Sequence, residues 1–172
     1  MSLAPGDVEA IGEQLGRPAR GVRAVPYRCP SGHPGVIETH PRLPDGTPFP
    51  TLYYVTCPVL TAATSTLESR GLMQEMTAAL RTDDALAAQY RSAHEAYLRA
   101  REQIALVAEI RGVSAGGMPD RVKCLHVLVA HSLATVVGVN PLGDRAIEAL
   151  RANAQHQRCL RGLPGRTETE AG

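Results

Sequence analysis

The sequence predicts an α+β fold: a small sheet of about three strands from the N-terminal half, packed against a helical C-terminal half with a buried central helix. Three observations predict it. Strand-like runs, broken by proline and glycine, lie before residue 58. Helical periodicity takes over after Pro58 and reaches Arg151. Within that half, Leu125 to Val137 is apolar almost all round, as a helix inside a core would be. Strands and helices are segregated, so strict βαβ alternation is excluded.

Taken in order, residues 7–15 read as a short helix with Asp7 as N-cap, stopped by Gly16 and Pro18. Val22 to Tyr27 reads as a strand, and Pro26 confines it to an edge. Residues 29–35 (CPSGHPG) are turn chemistry, residues 36–39 a strand, and residues 40–50 a proline-rich connection. TLYYVTC (51–57) is the best strand, β-branched and aromatic. Thr64 or Ser65 can cap a helix running to Arg70, and Gly71 marks a break or restart. The longest helical pattern spans 83–111, with Asp83 as N-cap and Gly112 as its end. After a loop at 113–119, Asp120 can cap a helix that runs through the central apolar segment to Asn140-Pro141. A last helix covers Asp144 to Arg151 or beyond. One globular domain is expected over 1–162, with a polar, disordered tail at 163–172.

Composition narrows function. Among 172 residues the net charge is +1 and aromatics are 3%, which speaks against a DNA-coating protein and against a base-stacking platform. No apolar run is long enough to span a membrane, and the N-terminus carries no signal-peptide pattern, so a cytoplasmic protein is expected. In a reducing cytosol the four cysteines would be thiols or ligands, not disulfides. Arginine so outnumbers the single Lys123 that a surface arginine by itself carries little information.

Cys29, Cys57 and Cys124 each stand at the end of an element, beside a break, while Cys159 lies in a polar stretch. No C-x-x-C is present, so a zinc-finger or ribbon site is excluded, but distant thiolates can still hold zinc or an iron–sulfur cluster. His33 and His126 are local candidates for a further ligand. Buried, inert thiols are the competing reading. In a regular helix Cys124 and His126 would be about 200° apart, so they could meet one ion only if the first turn were irregular. Cys124 and His131 would share a face, but ~10.5 Å apart along the axis. The plain reading of His131 is a core histidine bonded to a neighbour.

Cys124 near a helix start, with Arg121 and Lys123 beside it, also fits a nucleophilic thiol with His126 or His131 as proton carrier. The same positive charge, with Arg28, fits a clamp for an anion. No phosphate-loop signature accompanies Gly116-Gly117.

The blocks CPSGHPGVIETHPRLPDGTPFPTLYYVTCPVL and GGMPDRVKCLHVLVAHSLA, followed by GVNPLGD, closely resemble domain-of-unknown-function family 501, a family of bacterial proteins, over roughly Val8 to Leu150. The resemblance implies a stand-alone cytoplasmic protein and makes Cys29, Cys57 and Cys124 one candidate set. His126, His131, Arg121, Lys123, Asn140 and Asp144 also fall on family positions; Cys159 does not. In ligand count alone, the set is similar to desulfidase-type enzymes that hold a cluster by three distant cysteines.

The expectation is therefore a metal- or iron–sulfur-dependent enzyme acting on a small anionic substrate. Cys29, Cys57 and Cys124 would be ligands. His126, His131 and Lys123 would serve catalysis, and Arg28 and Arg121 would bind the substrate. Two alternatives stand beside it: a cofactor-free thiol enzyme using Cys124, or a protein-interaction module presenting the 83–111 helix, its cysteines inert or zinc-structural.

Overall fold

The computed structural model describes residues 2–154 and 157–165. Its sheet has three antiparallel strands in the order β1 (Val22–Arg28), β2 (Pro34–Thr39), β3 (Tyr53–Val55). Arg28 pairs with Pro34 and Val36 with Val55, so the end of β1, the start of β2 and the end of β3 lie together at one end of the sheet. Pro26 sits on an edge strand, as its missing N–H requires. Successive side chains of β2 point to opposite faces. Val36 enters the main core, while Ile37 joins Val25 and Ile11 of helix α1 (Asp7–Leu15) in a smaller cluster. β2 is thus covered on both sides, which is why it lacks polar alternation.

The helical half comprises α2 (Pro58–Ser69), α3 (Leu72–Thr82), α4 (Asp84–Glu102), α5 (Leu125–Ala134), α6 (Pro141–Ala152) and the short α7 (Arg158–Arg161). α5 is the buried central helix, with Leu125, Leu128, Val129, Ala130 and Leu133 all in the core. It packs against β3 and α6. Gly143 lets α6 approach closely, since a Cβ there would run into the Leu128 carbonyl and Ser132 Oγ. None of the described helices is long and apolar enough to cross a membrane.

Several boundaries differ from the sequence expectation, each for a tertiary or capping reason. Gly6, at φ 84°, is the N-cap of α1, and Asp7 is its first residue; the Asp7 carboxylate accepts from Ala4 N–H at 2.6 Å. α2 begins at Pro58 with Cys57 as an extended N-cap, because proline fits the first turn where no N–H partner exists. Thr64 lies inside that helix and donates its hydroxyl to the Leu60 carbonyl at 2.7 Å.

α4 stops at Glu102, not Arg111. The buried Arg101 guanidinium donates to the carbonyls of Pro50 (3.0 Å), Val113 (2.6 Å) and Ile110 (2.7 Å), folding the following chain back as a 3-10 turn at Ala108–Ile110. α4 directs Leu86, Tyr90, Ala93 and Tyr97 into the core, so its apolar stripe is used internally.

α5 begins at Leu125, and the exposed Asp120 caps nothing. The preceding loop is instead held by tertiary bonds: Val122 N–H to Thr77 Oγ1 (3.0 Å), Tyr90 hydroxyl to the Arg121 carbonyl (3.0 Å), and Lys123 N–H to the Gly116 carbonyl (2.7 Å). α6 starts at Pro141, capped by Asn140 Oδ1, which accepts from Gly143 N–H at 3.0 Å. The expected disordered tail begins too early: Leu163 is buried in the main core together with Leu160 of α7. Residues 166–172 of that tail lie outside the described residues.

Candidate metal centre

α2 supplies one wall of the candidate centre and the start of α5 the other. Glu68 lies in the last turn of α2, with Ser65 and Thr61 in the turns before it. Cys124 is the N-cap of α5, with extended backbone angles (φ −153°, ψ 114°). Cys124 and His126 are therefore not held about 200° apart as on a regular helix. Cys124 Sγ stands 3.9 Å from His126 Nδ1. Glu68 Oε1 stands 3.2 Å from the same nitrogen and accepts from Leu125 N–H at 2.7 Å. Glu68 thus caps α5 from another helix while facing the imidazole.

One donor atom each from Glu68, Cys124 and His126 lies within 4.8 Å of the other two, the only such group of metal-ligating side chains among the described residues. The second ring nitrogen, Nε2, faces the Thr61 carbonyl at 3.2 Å and Ser65 Oγ at 3.3 Å. A backbone carbonyl behind one nitrogen fixes the ring so that the other points at the ligand position. The Cys124 contact, with the Glu68 charge and the Thr61 carbonyl, raises the His126 pKa to about 9 against the opposing cost of burial. Both ring nitrogens have acceptors, so without a metal the imidazolium is favoured. A metal ion would take the place of the Nδ1 proton. Glu68 and His126 keep about a quarter of their side-chain surface exposed (23% and 24%), so solvent reaches the group.

The remaining predicted residues are distributed elsewhere. Cys29, Cys57 and Cys124 do not form one ligand group. Cys29 and Cys57 sit at the shared end of the sheet, and Cys159 on α7 packs toward that end. Burial, and then the neighbouring Cys57 and Cys29 thiols, push the Cys159 thiol up to about 12. Packing explains the exchange of partners: α7 lies on α2 and on the Cys29-Pro30 turn, where a Cβ on Gly162 would collide with the Pro30 ring. His33 is exposed, and only its carbonyl meets Cys29, accepting from Cys29 N–H at 3.0 Å.

His131 lies apart from this group, inside the core. It is buried between Tyr53 and Tyr97, with ring centroids 5.8 and 5.1 Å away, and Asn140 Nδ2 stands 3.1 Å from its Nδ1. Burial lowers its pKa to about 4, so it is a neutral core histidine. Arg28 is not a free clamp either. Its guanidinium pairs with both Asp7 carboxylate oxygens (2.8 and 2.6 Å), which cancels its charge. Arg121 and Lys123 are exposed and, with Arg81, line an open groove of about 720 Å³ beside the loop that leads to Cys124.

Sequence reasoning missed Glu68, Ser65 and the partnership of Cys159. Ser65 and Glu68 share a helix face at i, i+3 spacing, but nothing local ties that face to Cys124.

A family model described as "Protein of unknown function (DUF501)" matches residues 25–148, which includes Glu68, Cys124 and His126 and excludes Cys159. No curated protein and no solved structure matches the chain.

Proposed function

The chain belongs to the DUF501 family, and from the geometry of its own residues we propose that it is a metal-dependent enzyme in which Glu68, Cys124 and His126 hold one divalent transition-metal ion, zinc by class. One observation carries the reading: three donor atoms of different chemistry gathered within 4.8 Å, with the histidine oriented from behind by a carbonyl. A mixed carboxylate–thiolate–imidazole set suits a single borderline ion better than an iron–sulfur cluster, which favours thiolates. Three protein ligands leave a fourth position for water or substrate, the pattern of catalytic zinc and not of closed structural sites. A metal there would lower the pKa of bound water or polarise a substrate oxygen. Arg121 and Lys123, exposed on the adjoining groove, favour a small anionic substrate.

Cobalt substitution tests the proposal. Co(II) bound by Cys124 contributes its own thiolate charge-transfer absorption, and that share is lost in Cys124→Ser and weakened in Glu68→Gln, whatever the other cysteines bind. Protein that takes up no stoichiometric Co(II) or Zn(II) when purified under reducing conditions ends this reading.

A second reading is a metal-free thiol enzyme, favoured by the Cys124–His126 approach of 3.9 Å at the start of α5. It requires that metal-free protein alkylate at Cys124 with a midpoint well below the ordinary thiol value of about 8.5.

A further inference from the structure

A second group of sulfurs lies outside the candidate centre. The sheet register brings the end of β1, the start of β2 and the end of β3 to one end of the sheet. Cys29 directly follows β1 there, and Cys57 follows β3 by two residues. Both are buried, at 5% and 4% exposure. Cys57 N–H and Thr56 N–H both point at the Gly35 carbonyl, which fastens the Cys57 segment to the start of β2. α7 packs on α2 and α6, with Leu160 and Leu163 in the core and Gly162 against the Pro30 ring beside Cys29, and this brings Cys159 to the same end of the sheet, against the cluster that includes Cys57. Tyr27 completes the neighbourhood. It lies two residues before Cys29 on β1, and its hydroxyl oxygen is buried without a hydrogen-bond partner.

We propose that Cys29, Cys57 and Cys159 form a thiophilic metal site that clamps α7 to this end of the sheet, with the Tyr27 hydroxyl donating to a ligating sulfur. A buried hydroxyl without a partner is costly, and three neutral thiols are poor acceptors for it. Metal binding removes the thiol protons, and the resulting thiolates accept the phenolic hydrogen bond. Three sulfurs suit zinc and softer ions of its class. The three sulfurs do not all lie within 4.8 Å of one another as the donors of Glu68, Cys124 and His126 do, so metal binding requires them to close together. This site shares no ligand with the proposed centre, so either can fail without the other.

Cadmium binding to the full chain, reduced and free of oxygen, tests the site. In the Cys124→Ser variant no sulfur remains at the first centre, so every sulfur neighbour of cadmium in X-ray absorption comes from this one. The expected count is three per bound ion. Adding Cys159→Ser should reduce it to two and weaken cadmium binding at least tenfold. A cadmium shell of oxygen and nitrogen only, or a count unchanged by Cys159→Ser, overturns the proposal. Should the double variant fail to fold, wild-type protein loaded with two equivalents decides. One sulfur at one ion and three at the other average to two per ion, and an average of one half or less overturns it.

Discussion

Asn140 places its Nδ2 amide 3.1 Å from Nδ1 of His131, while its Oδ1 caps α6 through Gly143 N–H. One buried amide thus ends the connection between α5 and α6 and fixes the imidazole between two tyrosines. Because Nδ2 can only donate, His131 Nδ1 must accept, which requires a neutral ring.

That arrangement predicts acid sensitivity. The folded pKa of His131 is about 4, below its ordinary value of 6.5. Between these values the unfolded chain binds a proton that the folded chain refuses. Stability from this group is therefore complete above pH 6.5 and is lost as pH falls toward 4, by about 3 kcal/mol. Denaturant unfolding measured from pH 7 to pH 4 should show His131→Gln losing about that much less than wild type. Parallel pH curves would contradict the assignment.

Arg101 should be a stability hot spot although no carboxylate pairs with it. Its guanidinium satisfies three backbone carbonyls from two separate segments. Arg101→Met leaves the Pro50 and Val113 carbonyls without that donor, while Ile110 keeps the Val113 N–H, and should cost about 3 kcal/mol in denaturant unfolding. Arg101→Lys should rescue little, because a single ammonium lacks the planar fork. A loss under about 1 kcal/mol in the methionine variant would show that water replaces the guanidinium.

Around the candidate centre, Ser65→Ala should weaken zinc binding by about tenfold, the low end for a group behind a ligand, because the Thr61 carbonyl still holds Nε2. Glu68→Gln should weaken it more, since Glu68 is itself a ligand. Competition with a zinc chelator measures both, and the reverse order would remove Glu68 from the ligand set.

Close packing of α6 on α5 predicts that Gly143→Ala is destabilising. The new methyl group meets the Leu128 carbonyl and Ser132 Oγ, neither of which can retreat within a packed helix pair. The expected cost is about 2 kcal/mol. Thermal denaturation checks it, and a variant as stable as wild type would mean that α6 shifts freely.

Local pattern was enough to set the architecture. β-branched and aromatic runs placed the strands, Pro26 placed β1 at an edge, and the unbroken apolar segment placed α5 in the core. These signals are legible because each depends on neighbours within a turn or two of chain. Helix ends were less so. α4 ends at Glu102 because carbonyls from Pro50 and Val113 meet the Arg101 guanidinium, and the chain around Arg101 carries no mark of them.

Partnership among functional groups came only with the tertiary structure. Sequence singled out Cys29, Cys57 and Cys124 for standing at element ends, and each does. Which of them meet depends on packing: antiparallel register joins Cys29 to Cys57, α7 adds Cys159, and the seating of α5 on α2 turns Cys124 toward Glu68 and His126. Residue type and spacing fix what a side chain can do and which element bears it. Its neighbours are fixed by how distant elements bury their apolar faces, a property of the whole chain.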